Sequence, residues 1–320
     1  MSQAVLRISH TMSTLRDTGR VQIGDYRVER LALGAMRLVS SSFDRDGRHF
    51  ESFGLPEDPE ASRTVMRAAV EECGIRYVDF ARGYGPTPGS GESYFRAWMA
   101  PYPADLLWAT KVGYERDAQG GWALNLAPEA IARDIAASRS ELGAQIPLLY
   151  LVVGSTSDVV VRNRPARLAD AFAPLVEAQR RGEVRHLGVA NVTADELAAL
   201  IAVAPVAAVQ NKFTVASLAD PAQRAVLDLC RHHGIAFVAW GIFQNDGPDA
   251  WQPGAELARA AAELGVTPQE ASIAILLHAQ PHLVALTGAS RRKSLESSVR
   301  AANLAVPAGV LARFESEARV

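Results

Sequence analysis

The feature that most restricts this chain is its rhythm. From Leu31 onward, short apolar runs alternate with segments of helical periodicity, eight times over, with no linker between the units. The strand-like runs are 31–38, 77–81, 106–112, 148–153, 186–189, 207–210, 235–239 and 283–286. Helices are predicted over 59–73, near 92–99, and over 128–142, 168–181, 194–204 and 221–233. A further helical region, 254–280, breaks near Gly265, and 292–303 and a last helix from Ala308 complete the series. Proline in the first turn and glycine past the end bracket two of them, Pro128 to Gly143 and Pro221 to Gly234. Strands that alternate with helices pair in parallel, and eight such units in about 280 residues suit a (β/α)8 TIM barrel. A doubly wound sheet is the alternative. It carries G-x-G-x-x-G after its first strand, and Leu33-Gly34-Ala35-Met36-Arg37-Leu38 has no such loop.

Two stretches precede or interrupt the rhythm. Residues 21–28 alternate around a Gly24-Asp25 turn, a hairpin placed to close the floor of a barrel. Residues 40–58 and 244–254 are polar and irregular, and are expected as loops at the pocket mouth. Residues 1–20 lack an apolar core and read as a loose extension rather than a signal peptide, leaving 21–320 as one domain.

Composition narrows the classes of function. Hydrophobic residues make up 48% of the 320, enough for a large core. A net charge of -2 gives no basic patch for nucleic acid or a membrane surface. The most apolar late run, 271–279, is about half of a membrane span. Cys73 and Cys230 are the sole cysteines, which supports neither a disulfide framework nor a metal site and fits a reducing, cytoplasmic setting. No spacing of His, Cys, Asp or Glu suggests a metal.

The chemistry concentrates at two strand ends. Ile75 to Ala81 is an apolar run broken by Asp79, and 106–112 carries Lys111 at the equivalent place. A carboxylate closing a buried strand needs a partner, because burying it alone costs several kcal/mol. Tyr84 lies on the glycine-rich loop between them. A phenol with a pKa near 10 is a weak proton donor at neutral pH; a lysine cation nearby favours the phenolate, and an aspartate would hold that lysine. The same residues also suit a structural Asp79–Lys111 pair with an ordinary loop tyrosine. Near the C-terminus, Arg291, Arg292 and Lys293 open a helix whose dipole repels them, a conflict that a bound anion or simple solvation relieves.

Taken together, Asp79, Tyr84 and Lys111 resemble the catalytic residues of the aldo-keto reductases, and the likeness runs from about Val21 to Asn303. The segment around Gly121-Trp122 and Arg185-His186-Leu187-Gly188-Val189-Ala190-Asn191-Val192 is similar to the pyridoxal-reductase-like branch. The resemblance implies an NADPH-dependent reductase of a small molecule, with Tyr84 giving the proton. It assigns the carboxamide of nicotinamide to Asn191 and Gln210, ring stacking to Trp240, and cofactor contacts to Gly34, Met36, Gly288 and Ser290. It gives the 2′-phosphate to Arg291 and the adenine surroundings to Ser297 and Ser298, where the family has a Glu-Asn pair. The family histidine, from a pattern like I-D-L-Y-x-x-H, falls on Val152, or on Val153 one residue along. Losing such a donor typically costs ~10²–10³ in rate where an oxyanion develops. That departure points to an imine, a conjugated C=C or an unusual carbonyl substrate, in a setting such as secondary metabolism, or to a cofactor-binding sensor with little turnover.

Overall fold

The computed structural model describes residues 14–15, 19–45, 48–116, 121–154, 160–163, 165, 167–243 and 251–316. In chain order the elements begin with β1 (Arg20–Ile23), β2 (Tyr26–Glu29), β3 (Leu31–Gly34), α1 (Met36–Val39), β4 (Ser41–Arg45) and β5 (Arg48–Gly54). Next come α2 (Pro59–Glu71), β6 (Tyr77–Asp79), α3 (Ser90–Met99), β7 (Leu107–Val112), β8 (Tyr114–Arg116), β9 (Trp122–Asn125) and α4 (Pro128–Leu142). They are followed by β10 (Ile146–Val152), β11 (Val160–Asn163), α5 (Leu168–Arg180), β12 (Val184–Ala190), α6 (Ala194–Ile201), β13 (Ala208–Lys212) and α7 (Pro221–His233). The chain closes with β14 (Ala236–Trp240), α8 (Ala255–Leu264), α9 (Pro268–Ala279), β15 (Leu283–Gly288), α10 (Arg292–Ala302) and α11 (Ala308–Ser316). Strands β3, β6, β7, β10, β12, β13, β14 and β15 form a closed parallel barrel. The predicted (β/α)8 architecture is therefore the observed one, with the two halves of the 254–280 region separating as α8 and α9 at Gly265.

Local chemistry sets the helix ends. Asp58 caps α2 by accepting from the backbone N–H groups of Glu60 and Ala61 at 3.1 and 2.9 Å. Thr193 with Glu196 and Thr267 with Glu270 form reciprocal capping boxes for α6 and α9. Gly143, Gly234 and Gly265 stop their helices in the left-handed conformation.

Side chains alternate across the barrel wall. Leu148, Tyr150 and Val152 face the interior, whereas Leu149, Leu151 and Val153 pack outward against the helices. Gly188 pairs with Tyr150 across the ladder, and a Cβ at Gly188 would lie 2.5 Å from the Tyr150 ring, so glycine there makes room for it. The β1–β2 hairpin seals the opposite end, as expected: Val21, Ile23 and Val28 complete the interior cluster. Asp25 ties that hairpin to the start of β12 through His186 and Arg185.

Three sequence expectations needed correction. The first strand stops at Gly34 rather than running to 38, because its neighbours' ladder partners end there, at Gly288 and Asp79. Beyond it, Met36–Val39 turns into helix and buries Leu38 and Val39. Residues 40–58 are no plain loop: β4 and β5 pair, with Phe43 stacked on Phe50 at 5.0 Å. The strands β8, β9 and β11, which the rhythm did not reveal, form a small separate sheet. Most of the 1–20 extension and residues 244–250 lie outside the described residues, although Leu15 donates its N–H to Cys73 O at 3.0 Å and Asn303 donates to Thr14 O at 3.0 Å. Among the described residues no helix is long and apolar enough to cross a membrane.

Candidate active site

At the C-terminal rim of the barrel, Asp79 is the last residue of β6 and Lys111 the penultimate residue of β7. Their side chains meet. Lys111 Nζ donates to Asp79 Oδ1 and, at 2.9 Å, to the Phe80 carbonyl. Asp79 is 3% exposed, and its other oxygen accepts from Gln210 Nε2 at 2.9 Å. Burial raises the Asp79 carboxyl above its ordinary value, while Lys111 and Gln210 pull it down. Tyr84, on the loop after β6, brings its ring to 5.6 Å from Lys111 Nζ. The three residues singled out by sequence therefore converge on one place.

Beneath them lies a buried polar layer. Tyr77 and Tyr150 share a hydroxyl hydrogen bond of 2.9 Å inside the barrel. Burial pushes both phenols well above their ordinary value, so they stay neutral.

A cavity of about 380 Å3 opens above the rim, lined among others by Gly34, Met36, Asp79, Tyr84, Gln210, Trp240 and Gly288. Asn191 sits close to this group in a left-handed conformation, φ 57°. Its Oδ1 accepts from Trp240 Nε1 at 3.1 Å and its Nδ2 donates to Gly154 O at 3.2 Å, so both ends of the amide are held. Gln210 is likewise turned toward Asp79 rather than left free. A second, polar cavity of about 530 Å3 contains Ser290 and Arg291, and shares Met36 and Arg37 with the first.

Other expected residues stand differently. Ser297 donates to Glu270 Oε1 at 2.9 Å and Ser298 is buried; neither lines these cavities. Arg292 is paired with Glu72 and Glu296, so part of the repulsion at the start of α10 is relieved within the protein. Val152 faces the interior at 2% exposure, and Val153 packs outward. Val152 alone of the two points into the barrel, and neither lines the cavities, so the expectation that they wall the substrate pocket is not met.

The residues fit an anionic dinucleotide carrying an aromatic head. Glycines at the strand ends admit close approach: a Cβ on Gly288 would touch nothing within 4 Å, and Gly34 has only contacts beyond 3.5 Å. Trp240 offers an aromatic surface beside them. Two guanidinium groups, Arg37 and Arg291, border the adjoining polar cavity, and neither pairs with a carboxylate among the described residues. Sequence reasoning had found Arg291 but not Arg37, whose value depends on lying between the cavities.

It also missed the wall around Tyr84. Trp122, from β9, stands edge-on to Tyr84 at 6.5 Å and to Phe53, from β5, at 5.0 Å. Tyr114 is 5.8 Å from the same indole. Gly83 is required for this packing, since a Cβ there would lie 2.5 Å from the Trp122 ring. The insertions after the first and third barrel strands therefore meet over the tyrosine loop. The Gly121-Trp122 pair was the one visible trace of them.

Comparison with known proteins agrees with this geometry. The family model "Aldo/keto reductase family" matches residues 30–318. The chain is 28% identical over 308 residues to pyridoxine 4-dehydrogenase of Escherichia coli, covering 93% of this chain and 97% of that protein. Among solved structures, the glycerol dehydrogenase of Gluconobacter oxydans superposes with a TM-score of 0.72 at 18% identity, covering 94% and 95% of the two chains. A Bombyx mori aldo-keto reductase solved with NADP gives a TM-score of 0.67 at 16% identity, covering 93% and 92%. A barrel whose rim gathers Asp79, Lys111 and Tyr84, matched by one family model over nearly its whole length, belongs to the aldo/keto reductase family and is a nicotinamide-dependent oxidoreductase.

Proposed function

We propose that this chain is an NADPH-dependent reductase of a small organic substrate, and that Tyr84 gives the proton. The observation that carries the reading is the meeting of Lys111 with Asp79 and Tyr84, two residues that line one cavity together with Gln210, Trp240 and Gly288. The cofactor supplies hydride. The protein's own residues do the rest. Trp240 presents an aromatic face for the nicotinamide, and Asn191, fixed at both ends, marks the edge where its carboxamide would lie. Ser290, Arg291 and Arg37 supply the donors and positive charge that a 2′-phosphate and pyrophosphate require, which favours NADPH over NADH. Lys111, held by Asp79, places a cation near the Tyr84 ring and stabilises the phenolate left when the proton departs.

Val152 stands inside the barrel where the resemblance puts the family histidine. A valine cannot donate a hydrogen bond to a developing oxyanion, and such a donor is typically worth ~10²–10³ in rate. The substrates that suit the site need little polarisation: an imine, a conjugated C=C, or a carbonyl assisted by its own neighbour. Pyridoxal belongs to the last group, because its ring hydroxyl lies beside the aldehyde and can hydrogen-bond to it. The likeness to pyridoxine 4-dehydrogenase makes it the first compound to try. A second reading, a cofactor-binding regulatory protein with little turnover, is favoured by the same valine.

The test is NADPH binding, followed by quenching of tryptophan fluorescence, in the wild type and Arg291→Ala. Binding weakened by the substitution, followed by NADPH consumption with pyridoxal, an imine or an enone that Tyr84→Phe abolishes, is the expected result. Binding without turnover on any of these favours the regulatory reading. Absence of binding to either nicotinamide cofactor overturns both.

A further inference from the structure

We propose that Arg116 is a positioning residue for Tyr84, locking the catalytic loop from the insertion that follows β7. Arg116 ends β8, outside the strand–helix series. Its guanidinium donates to three backbone carbonyls of one loop: Nη2 to Gly83 and Gly85, and Nη1 to Pro86 at 2.9 Å. Gly83 and Gly85 flank Tyr84 directly. The carbonyls on either side of the tyrosine are thus fastened to one rigid, planar group.

Such a fastening answers a weakness of the loop itself. Glycine is the most permissive residue, and Gly85 adopts φ 96°, so two glycines around Tyr84 leave its orientation poorly defined. Other bonds hold the loop more distantly: Gly85 N–H donates to Ser52 O at 2.9 Å, and Gly91 N–H to Tyr84 O at 2.9 Å. Arg116 holds both flanks at once.

The arginine is itself held by the aromatic wall. Its guanidinium carbon lies 4.0 Å from the centroid of Phe53 and 5.9 Å from that of Trp122. Among the described residues no carboxylate pairs with it, so its charge is balanced by carbonyl dipoles and π faces. Burial lowers its pKa to about 10, which leaves it protonated at neutral pH. Planarity decides the residue type. A lysine keeps the charge but lacks the fork that reaches several carbonyls in one plane. A proton donor misplaced by 1 Å can cost about 10²-fold in rate, so a loop fastened in this way bears on turnover rather than on cofactor affinity.

The catalytic consequence rests on the reading of Tyr84 as the proton donor, whereas the fastening of the loop does not, and two measurements separate them. The first is amide hydrogen exchange of the wild type, Arg116→Ala and Arg116→Lys, with no substrate present. The amides of residues 83–85 are expected to exchange about tenfold faster or more in both variants, with β6 and β7 unchanged. Unchanged exchange at 83–85, or faster exchange throughout the barrel, overturns the proposal. The second is single-turnover NADPH oxidation with pyridoxal as the probe, beside NADPH affinity. Expected are a fall of about 10²-fold in rate, an affinity within about twofold, and partial recovery in Arg116→Ala when guanidinium is added in place of sodium. Loss of affinity in parallel with rate, or rescue by Arg116→Lys, refutes a positioning role. If the wild type reduces neither pyridoxal nor an imine nor an enone while the exchange result holds, the reading of Tyr84 as proton donor fails and the fastening stands.

Discussion

Replacing Gln210 by leucine tests whether the buried carboxylate at the centre of the site is held as an ion. Asp79 Oδ2 accepts from Gln210 Nε2 at 2.9 Å in a place almost sealed from water. A hydrogen bond to a charged group contributes about 1.5–3 kcal/mol, and leucine nearly conserves volume, so the loss is chiefly electrostatic. Unfolding entropy of about 2.1 cal/mol/K per residue amounts to about 0.7 kcal/mol/K for this chain, so the expected fall in Tm is about 2–4 °C. The pH dependence is more telling than the size. Because burial leaves Asp79 above its ordinary value, the folded protein retains a proton that the unfolded chain has already released. Stability therefore falls as pH rises from the ordinary carboxylate value through the folded one. Gln210 favours the ionised form, so removing it lifts the folded value further and deepens that fall. The gap in stability between wild type and variant should be small in acid, where a neutral acceptor loses about 0.5–1.5 kcal/mol, and full once Asp79 is ionised. Thermal melts from about pH 4 to 8 measure it. A gap that stays constant across this range refutes the ionic bond.

Three further outcomes follow from the geometry. Tyr84→Phe should lower turnover by about 10²–10⁴-fold and leave NADPH affinity intact, as measured by steady-state kinetics beside fluorescence titration. Lys111→Met leaves Asp79 buried without its cation, and should cost about 3–5 kcal/mol in denaturant unfolding unless the carboxyl takes up a proton, in which case the loss shrinks at acid pH. Gly83→Ala places a methyl group against the Trp122 ring; it should shift the emission of that tryptophan and lower turnover, and an unchanged spectrum would show that the indole does not pack there.

The barrel was legible because its signals repeat. Short apolar runs followed by segments of helical period recur eight times, and several of the helices, such as α2, α4, α6, α7 and α9, open with proline or a capping residue. Asp79 and Lys111 were legible for a related reason: a charge inside an apolar run is an expense that needs a cause. Gln210 shows where such reasoning stops. An amide at a strand end was assigned to the cofactor, but which way it turns depends on Asp79 from another strand, 131 residues away in sequence. The β4–β5 ribbon and the β8–β9–β11 sheet escaped because strands such as Tyr114–Arg116, half-buried at every residue, carry no alternation of apolar and polar residues. Arg116 left no trace at all, since its partners are backbone carbonyls, which every residue has.

The sealed floor has a bearing on traffic. With Val21, Ile23 and Val28 closing one end of the barrel, cofactor and substrate share the entrance at the opposite rim. An occupant held against Gly34, Gly288 and Trp240, with its reaction partner above it, enters first and leaves last. A shared mouth imposes a compulsory order of entry. Product inhibition patterns should record that order, with each oxidised cofactor competing only against its reduced form.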